Sequence, residues 1–266
     1  SLVTAYDLEG NRRWHRVLAK SPIGWGPSAS PVLAGDKLLV HSRDLYALSK
    51  DTGEVLWQVP LTESWGTPVL TTVGGVEVLV TPAGDVVRVA DGAVLARQLS
   101  KCTFCAPIVE GDVVYFIENG GKAIRLREIG ADGKLVTETL WTTRPKSERY
   151  YASPVLLDGL IYCCMQFGVF SVIDAKSGEV VYEKDLQLGK GTVYPSVTAA
   201  GGLIYDDQTV AFGHLAGASA SLADWLARYG VGKGHHVAVM MANHPAMVAS
   251  TYALWALGAT VVPISA

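Results

Sequence analysis

The sequence has neither the excess of basic residues nor the long apolar run that would mark a nucleic-acid-binding or membrane-spanning protein. Its 266 residues include 22 Lys and Arg against 25 Asp and Glu, which gives a net charge of −3 and no basic surface for nucleic acid. No charged residue follows Lys233, but residues 243–245 interrupt the apolar stretch before it reaches the roughly 20 residues that a spanning helix needs. We therefore predict no nucleic-acid partner and no membrane span.

Cysteine is scarce, and its four copies show no metal-binding pattern. Cys102 and Cys105 form one C-x-x-C motif, and neither a second pair nor histidines at matching spacing follow it, as a zinc site would require. Cys163 and Cys164 are adjacent on a predicted strand, whose neighbouring side chains point to opposite faces. We interpret all four as packing residues. The alternatives are a disulfide or metal site at Cys102 and Cys105, and a redox disulfide at Cys163 and Cys164.

What the sequence does contain is a repeat of about forty residues over its first 205 positions. Each unit opens with a small or aromatic residue beside a proline, then an apolar pair, a glycine turn and an apolar strand. Alternating apolar residues between Gly, Asp and Asn turns predict about four short strands per unit. This pattern is typical of a β-propeller blade, which must stack on its neighbours to bury its faces. The opening prolines are Pro31, Pro68, Pro107, Pro154 and Pro195.

A second signature closes the units. Residues 49–57, Ser-Lys-Asp-Thr-Gly-Glu-Val-Leu-Trp, are echoed by residues 174–182, Asp-Ala-Lys-Ser-Gly-Glu-Val-Val-Tyr, and more weakly by residues 7–14. The closing aromatic residues are expected to fill the space between neighbouring blades, because aromatic rings dominate such cores. A ligand platform is the alternative for these rings. They are Trp14, Trp57, Trp141 and Tyr182.

The signatures at 49–57 and 174–182 resemble the tryptophan-docking repeats of quinoprotein-type, PQQ-like propellers, and the resemblance covers residues 1–205. That family includes quinone-dependent alcohol dehydrogenases, for which the resemblance implies PQQ and calcium. It also includes non-enzymatic scaffolds similar to the outer-membrane assembly lipoprotein. The same blades serve both uses, so the fold does not decide the activity. The family usually closes with seven or eight blades, so the resemblance also implies blades missing upstream of Ser1.

After residue 205 the periodicity changes from strand-like to helix-like. A helix is predicted over residues 215–229 and a second one, capped by Asn243, over residues 247–257. Apolar strands are predicted at 236–241 and 259–264, and a strand, helix and strand of this length form a parallel pair. The first helix is predicted to carry Leu215, Leu222, Trp225, Leu226 and Tyr229 on one face.

Residues 226–248 and 253–264 resemble the start of the acyl-adenylate-forming enzymes, which include the acyl-CoA synthetases, and this resemblance covers residues 208–266. It implies activation of a carboxylate with ATP, followed by thioester formation with coenzyme A. The ATP- and coenzyme A-binding residues of that family follow well downstream, so no such site is expected in this chain. The glycines of residues 229–234 precede a strand, so we interpret them as a loop rather than a phosphate-binding turn. His235, His236 and His244 are interpreted as turn and cap residues.

We predict a mainly β protein. An incomplete β-propeller of about five four-stranded blades, residues 1–205, is followed by a small α-β-α-β segment, residues 206–266, which is the N-terminal part of an AMP-binding domain. The favoured function is a non-catalytic binding or assembly module with a protein partner on the propeller surface. No catalytic, cofactor-binding or metal site is predicted. The alternatives are a fragment of an ATP-dependent acid–CoA ligase with an accessory propeller, and a quinone-dependent dehydrogenase.

The sequence leaves the compartment and the nature of the join open. The propeller relatives are extracytoplasmic and the ligase relatives are cytoplasmic, and four cysteines do not decide between them. The join near residues 205–208 has no linker rich in proline, serine or charge, although a domain boundary often does. It also falls within a predicted blade, so a natural fusion and a recombined reading frame are both consistent with the pattern.

Overall fold

The computed structural model describes residues 1–19, 28–145, 150–187, 193–194, 196–200, 203–205, 212–240 and 245–264. The chain divides into two compact units, Ser1–Asp207 and Gln208–Ala266. Pro195, Asn243 and His244, to which the sequence assigned roles, lie outside the described residues, as does the join at 206–208.

The first unit consists of antiparallel sheets that follow one another along the chain. Four of them have four strands each, paired in sequence order, and we number them as blades. Blade 1 contains β3 (Val32–Ala34), β4 (Lys37–His41), β5 (Asp44–Ser49) and β6 (Val55–Pro60); blade 2 contains β7 (Val69–Val73), β8 (Val76–Val80), β9 (Val86–Arg88) and β10 (Val94–Ala96). Blade 3 contains β11 (Ile108–Glu110), β12 (Val113–Ile117), β13 (Gly121–Ile129) and β14 (Leu135–Thr143); blade 4 contains β15 (Val155–Leu157), β16 (Leu160–Cys164), β17 (Val169–Asp174) and β18 (Val180–Asp185).

Two shorter sheets flank the four blades. The first pairs β1 (Leu2–Tyr6) with β2 (Arg12–Val17), and the last pairs β19 (Thr198–Ala200) with β20 (Leu203–Tyr205), both antiparallel. The repeat therefore yields four complete blades and two partial sheets in the part of the chain that the structure describes. The predicted mainly β fold, with an incomplete propeller, is confirmed.

The hydrophobic cores described in the first unit lie between successive sheets. Leu39 and Leu45 of blade 1 pack with Leu79 and Val87 of blade 2, and all four side chains are fully buried. Similar cores join blade 2 to blade 3 and blade 3 to blade 4. The first strands of blades 1, 2 and 3 lie against one another in succession, and β15 lies against β19. This is the stacking that a propeller requires, because a single four-stranded sheet cannot bury its own faces.

The second unit has the order helix, strand, helix, strand that the sequence predicts. Its elements are α1 (Phe212–Arg228), β21 (His236–Met240), α2 (Pro245–Ala256) and β22 (Thr260–Ile264). The two strands pair in parallel, and Val239, Leu254 and Ala259 form the buried core of the unit. α2 ends before Gly258, whose φ of +69° is one that L-residues rarely adopt.

The residues that the sequence places on one face of α1 differ from one another in burial. Trp225 and Tyr229 do share a face, with ring centroids 4.6 Å apart, but they are 52% and 72% exposed. Leu226 of this helix packs against the core of the unit. A shared helical face therefore did not predict which of its residues would be buried. No helix in the described ranges combines the length and the apolarity that a membrane crossing demands.

Candidate functional site

One end of the propeller, which we call the loop face, carries the loops between the second and third strands of each blade and the connections from one blade to the next. Antiparallel strand order places these two kinds of loop together, because the second and fourth strands of a blade end on the same side. The other end carries the tight turns between the third and fourth strands. Buried carboxylates, a cavity and a row of aromatic rings all lie on the loop face.

Glu118 holds the connection that leads from blade 2 into blade 3. It follows β12, is 8% exposed, and its Oε2 accepts hydrogen bonds from the backbone N–H groups of Thr103, Phe104 and Cys105 at 2.9, 2.7 and 2.9 Å. Successive N–H groups that converge in this way form a nest for an anion. Here the anion is a side chain of the same chain, so the nest fixes the loop instead of leaving a free site.

Asp85 has a similar anchoring role in the preceding blade. It is fully buried at the start of β9, and its two carboxylate oxygens accept the backbone N–H groups of Thr62 at 2.8 Å and Gln98 at 2.9 Å. Thr62 belongs to the connection that enters blade 2, and Gln98 to the connection that leaves it. One carboxylate thus ties two connections together, and a buried charge is tolerated because its oxygens are paired.

A cavity of about 630 Å³ opens beside Glu118. It is lined by the connection after blade 2, by the loop between β12 and β13, and by the end of β14. Lys101, Lys122 and Arg144 bring positive charge to it, while Leu99 and Phe116 are among its apolar lining. The Lys122 ammonium donates to the backbone oxygen of Leu99 at 3.0 Å, which holds this lysine against the cavity wall.

Four aromatic rings form a row along the loop face, which we call the aromatic arc: Trp65, Phe104, Tyr151 and Tyr194. Trp65 and Phe104 stack with centroids 5.4 Å apart, Phe104 meets Tyr151 edge-on at 4.9 Å, and Tyr151 lies 4.9 Å from Tyr194. Tyr194, at one end of the row, is 63% exposed. Neighbouring rings at these separations attract one another, so the arc is a pre-formed aromatic surface.

The sequence did contain a signal for this arc. Trp65, Phe104 and Tyr151 each stand three residues before the opening proline of a blade. The residues around the prolines were interpreted only as strand openings, whereas blade stacking brings the aromatic ones side by side. Glu118 and Asp85 were also missed, and no local pattern marks them, because their amide partners lie 13 to 23 positions away.

At the opposite end, the closing tryptophans dock onto the next blade, as the sequence predicts. Trp14, Trp57 and Trp141 donate their indole N–H to the backbone oxygens of Lys50, Val89 and Ala175, at 2.8, 3.1 and 2.9 Å. Tyr182 differs: it is 49% exposed. Its counterparts dock on the turn between a third and a fourth strand of the following blade, and no such turn follows β18 in the described residues.

The four cysteines are separate and buried. Cys163 belongs to the core between blades 3 and 4, whereas its neighbour Cys164 packs with Val193 and Val197 on the other side of the sheet. Burial raises the pKa of the Cys102 and Cys163 thiols to about 12. Thiols with such a raised pKa are neutral at ordinary pH and are poor nucleophiles and poor metal ligands.

The resemblance to quinone-dependent dehydrogenases raises the question whether these cysteines and carboxylates could bind quinone and calcium. The adjacent cysteines face different cores, and the buried carboxylates Asp85 and Glu118 already bind backbone amides. Among the described residues, no three His, Cys, Asp or Glu side chains lie close enough together to hold a metal ion. Asp85, Glu118 and the adjacent cysteines are therefore not arranged as ligands for a quinone or for calcium.

In the second unit, His235 and His236 lie at the turn before β21. The backbone N–H of Gly232 donates to Nδ1 of His235 at 2.9 Å, and His236 is the exposed first residue of the strand. The glycine-containing turn thus leads into a strand. No helix N-terminus is presented there to receive the phosphates of ATP.

Comparison with known families matches both parts of the chain. Residues 1–211 match the family described as the outer membrane protein assembly factor BamB, and residues 191–266 match the family described as AMP-binding enzymes. The two matches overlap at residues 191–211. No curated protein sequence matches the chain.

Solved structures share the fold of the propeller. BamB from Moraxella catarrhalis superposes with a TM-score of 0.55 at 17% identity over 78% of this chain and 61% of its own. A europium-containing methanol dehydrogenase gives 0.54 at 13% identity over 74% and 58%, and the computationally designed Ika8 protein gives 0.51 at 13% over 75% and 59%. The chain spans about three fifths of the length of these structures. At such identities the likeness is one of fold alone.

Proposed function

The chain belongs to the family of the outer membrane protein assembly factor BamB, whose profile matches residues 1–211, and we propose that its propeller is a non-catalytic binding or assembly module. Its loop face receives a protein partner. The family also supports a place outside the cytoplasm, in a compartment where outer membrane proteins are assembled.

The observation that carries this proposal is the anchoring of the connections by buried carboxylates. Glu118 binds three consecutive N–H groups and Asp85 binds two connections at once, so the loops beside the cavity are held in one conformation. A surface fixed before binding loses less conformational entropy when a partner docks. The aromatic arc supplies rings of the kind that are enriched among the residues dominating protein interfaces.

Site-specific photocrosslinking tests the choice of face. Phe167, in the loop between β16 and β17, is 47% exposed on the loop face and can be replaced by a benzoyl-phenylalanine of similar shape. Lys176 of the same blade is exposed at the opposite end and gives a matched control. We expect illumination of cells that express the full chain to yield a crosslinked protein of defined mass at position 167 and none at position 176.

Two results would overturn this proposal. One is a specific crosslink at position 176 with none at position 167, which would place the partner on the other face. The other is saturable binding of PQQ in the presence of calcium, followed by oxidation of an alcohol with a dye acceptor. That second result would make the quinone-dependent dehydrogenase the correct alternative.

A second function is supported by the match of residues 191–266 to AMP-binding enzymes and by the parallel strand pair of the second unit. On this alternative, the chain belongs to an acid–CoA ligase that carries an accessory propeller. The test is exchange of labelled pyrophosphate into ATP by the full-length protein, with a panel of carboxylic acids. Acid-dependent exchange would favour the ligase, and exchange no faster than a no-acid control would remove it.

A further inference from the structure

We propose that the cavity beside Glu118 binds a short peptide segment in which a carboxylate stands next to an apolar side chain. This inference rests on the proposed function, because it names the chemistry of a partner segment on the same loop face. It adds a specific site, made by the residues that line the cavity in blade 3 and in the connection that precedes it.

The lining of the cavity is positively charged. Lys101, Lys122 and Arg144 all line the cavity, and none of them forms an ion pair within the described ranges of the chain. Lys122 donates one hydrogen bond to a backbone oxygen, and its ammonium has further protons to offer. Three cations that line one cavity favour an anionic ligand, and the binding of a carboxylate would be strengthened by charge-assisted hydrogen bonds.

The one acidic residue in the cavity lining, Glu118, does not cancel this charge. Its Oε2 already accepts three backbone N–H groups, whose dipoles compensate the carboxylate locally. The same bonds occupy the nest of amides in this loop, which is the feature that would otherwise hold a phosphate. The cationic side chains therefore remain as the recognition elements.

The volume and the apolar lining of the cavity favour a peptide over an inorganic anion. A volume of about 630 Å³ lies in the range of sites that enclose drug-sized molecules, so a phosphate would leave most of it filled with water. Leu99, Cys102 and Phe116 give it apolar lining, and an adjacent apolar side chain would gain from their contact. The aromatic arc is linked to the cavity through Glu118, which lines the cavity and accepts the backbone N–H of Phe104.

The test measures binding of fluorescently labelled, end-blocked hexapeptides to the full chain by anisotropy. One peptide has a central Phe-Glu pair, a second has Phe-Gln, a third has Gly-Glu, and inorganic phosphate is used as a competitor. We expect the Phe-Glu peptide to bind at least about tenfold more tightly than the other two. Higher salt should weaken it, because the interaction is between charges at a solvent-accessible cavity.

Variants identify the site. Lys122→Met and Arg144→Gln are each expected to weaken binding of the Phe-Glu peptide about tenfold, and Lys101→Gln, at an exposed position, provides a variant with little risk to folding. Lys134→Gln removes the same charge from the exposed turn between β13 and β14, at the opposite end of blade 3, and should leave the affinity unchanged. An unchanged melting temperature confirms that each variant is folded.

Three outcomes would overturn the proposal. Equal affinity for the Phe-Glu and Gly-Glu peptides, with phosphate competing as well as either, would make the cavity a general anion site. If Lys134→Gln and Lys122→Met lost affinity for the Phe-Glu peptide equally, the binding would be nonspecific electrostatic attraction. If none of the peptides bound, the proposed site would be refuted. A crosslink from position 167 would then show that the proposed function holds without this peptide site.

Discussion

At the scale of single residues, the loop face contains buried polar groups of two kinds. Glu118 and Asp85 have their charges paired with backbone amides, so each contributes to fixing a connection. His41 and Ser64 are buried as well, but neither His41 ring nitrogen nor the Ser64 hydroxyl has a hydrogen-bond partner among the described residues. An unpaired buried polar group costs stability, and of these two residues only His41 titrates near neutral pH.

Replacing His41 is predicted to flatten the dependence of stability on pH. Burial lowers the pKa of His41 below its ordinary value of about 6.5. This effect outweighs the opposing influence of the Asp85, Glu63 and Asp44 charges and of the nearby Thr62 backbone. The unfolded chain therefore binds a proton at His41 more readily than the folded chain does. The free energy of unfolding decreases as the pH falls below the pKa of His41 in the unfolded chain, towards its lower pKa in the folded chain. Urea unfolding should show wild type losing up to about 1.4 kcal/mol more per pH unit below 6.5 than His41→Leu does.

The control for this measurement is His15→Gln. His15 is exposed on β2, so its replacement should leave the pH dependence of the wild type in place. If His41→Leu and wild type lose stability in parallel between pH 7.5 and pH 5, His41 is not the group responsible.

Substitutions at two glycines of blade 4 distinguish the cost of backbone strain from the cost of disturbing the contact between blades. Gly159 and Gly178 have nearly equal φ angles of +75° and +76°, but a Cβ at Gly159 would meet nothing within 4 Å, whereas one at Gly178 would come within 2.6 Å of the Trp141 ring. Gly159→Ala is predicted to cost about 1 kcal/mol through the left-handed backbone alone. Gly178→Ala should cost about 1–3 kcal/mol more, because it also displaces the docked indole.

Urea unfolding of the two variants checks this difference. The indole of Trp141 should also report it, since Gly178→Ala is expected to shift the tryptophan emission of the folded protein and Gly159→Ala is not. Equal losses of stability in the two variants would mean that docking of Trp141 adds nothing beyond the turn.

At the scale of elements, hydroxyl groups link the openings of successive blades. The backbone N–H of Ser30 donates to Thr67 Oγ1 at 3.0 Å, that of Ala106 to Ser153 Oγ at 3.0 Å, and that of Ser153 to Ser196 Oγ at 3.2 Å. Each bond therefore runs from one blade opening to the next. The series has a gap after blade 2, because the residue that should accept from Thr67 is Ala106, which has no hydroxyl group.

Restoring the missing acceptor is predicted to stabilise the propeller. Ala106→Ser offers an oxygen to the N–H of Thr67 and should raise the free energy of unfolding by about 0.5–1.5 kcal/mol. Ser153→Ala removes the acceptor for the N–H of Ala106 and should lower it by about 1 kcal/mol. Ala106→Cys is the matched control for Ala106→Ser, since sulfur fills similar space but is a weak acceptor. A gain in the cysteine variant equal to that in the serine variant would attribute the effect to packing.

The elements also show why some of the fold could be predicted and some of the site could not. The repeat is made of local turn chemistry, so the positions of the strands and the docking role of Trp14, Trp57 and Trp141 followed from the sequence. The aromatic arc depends on residues about forty positions apart that only blade stacking brings together. Glu118 looks like any acidic loop residue until its amide partners are placed, so local spacing gave no reason to select it.

At the scale of the whole molecule, the chain is two compact units, each with its own core. In the first, the cores lie between sheets, so the loss of one large side chain affects two blades at once. In the second, a single small core joins a parallel strand pair to two helices. The family match of the first unit ends at residue 211 and that of the second begins at residue 191, so the matched families share a short segment of this chain.

Separate cores predict that a cavity in one unit leaves the other unaffected. Leu254 is 1% exposed in the core of the second unit, and Ile161 is fully buried between blades 3 and 4. Leu254→Ala and Ile161→Ala should each cost about 2–5 kcal/mol in the unit that contains them. Hydrogen exchange followed by mass spectrometry of peptides from the full chain should show faster exchange over 212–264 for Leu254→Ala and over blades 3 and 4 for Ile161→Ala. Each variant is the control for the other, because exchange that rises across both units in either one would mean that the two units unfold together.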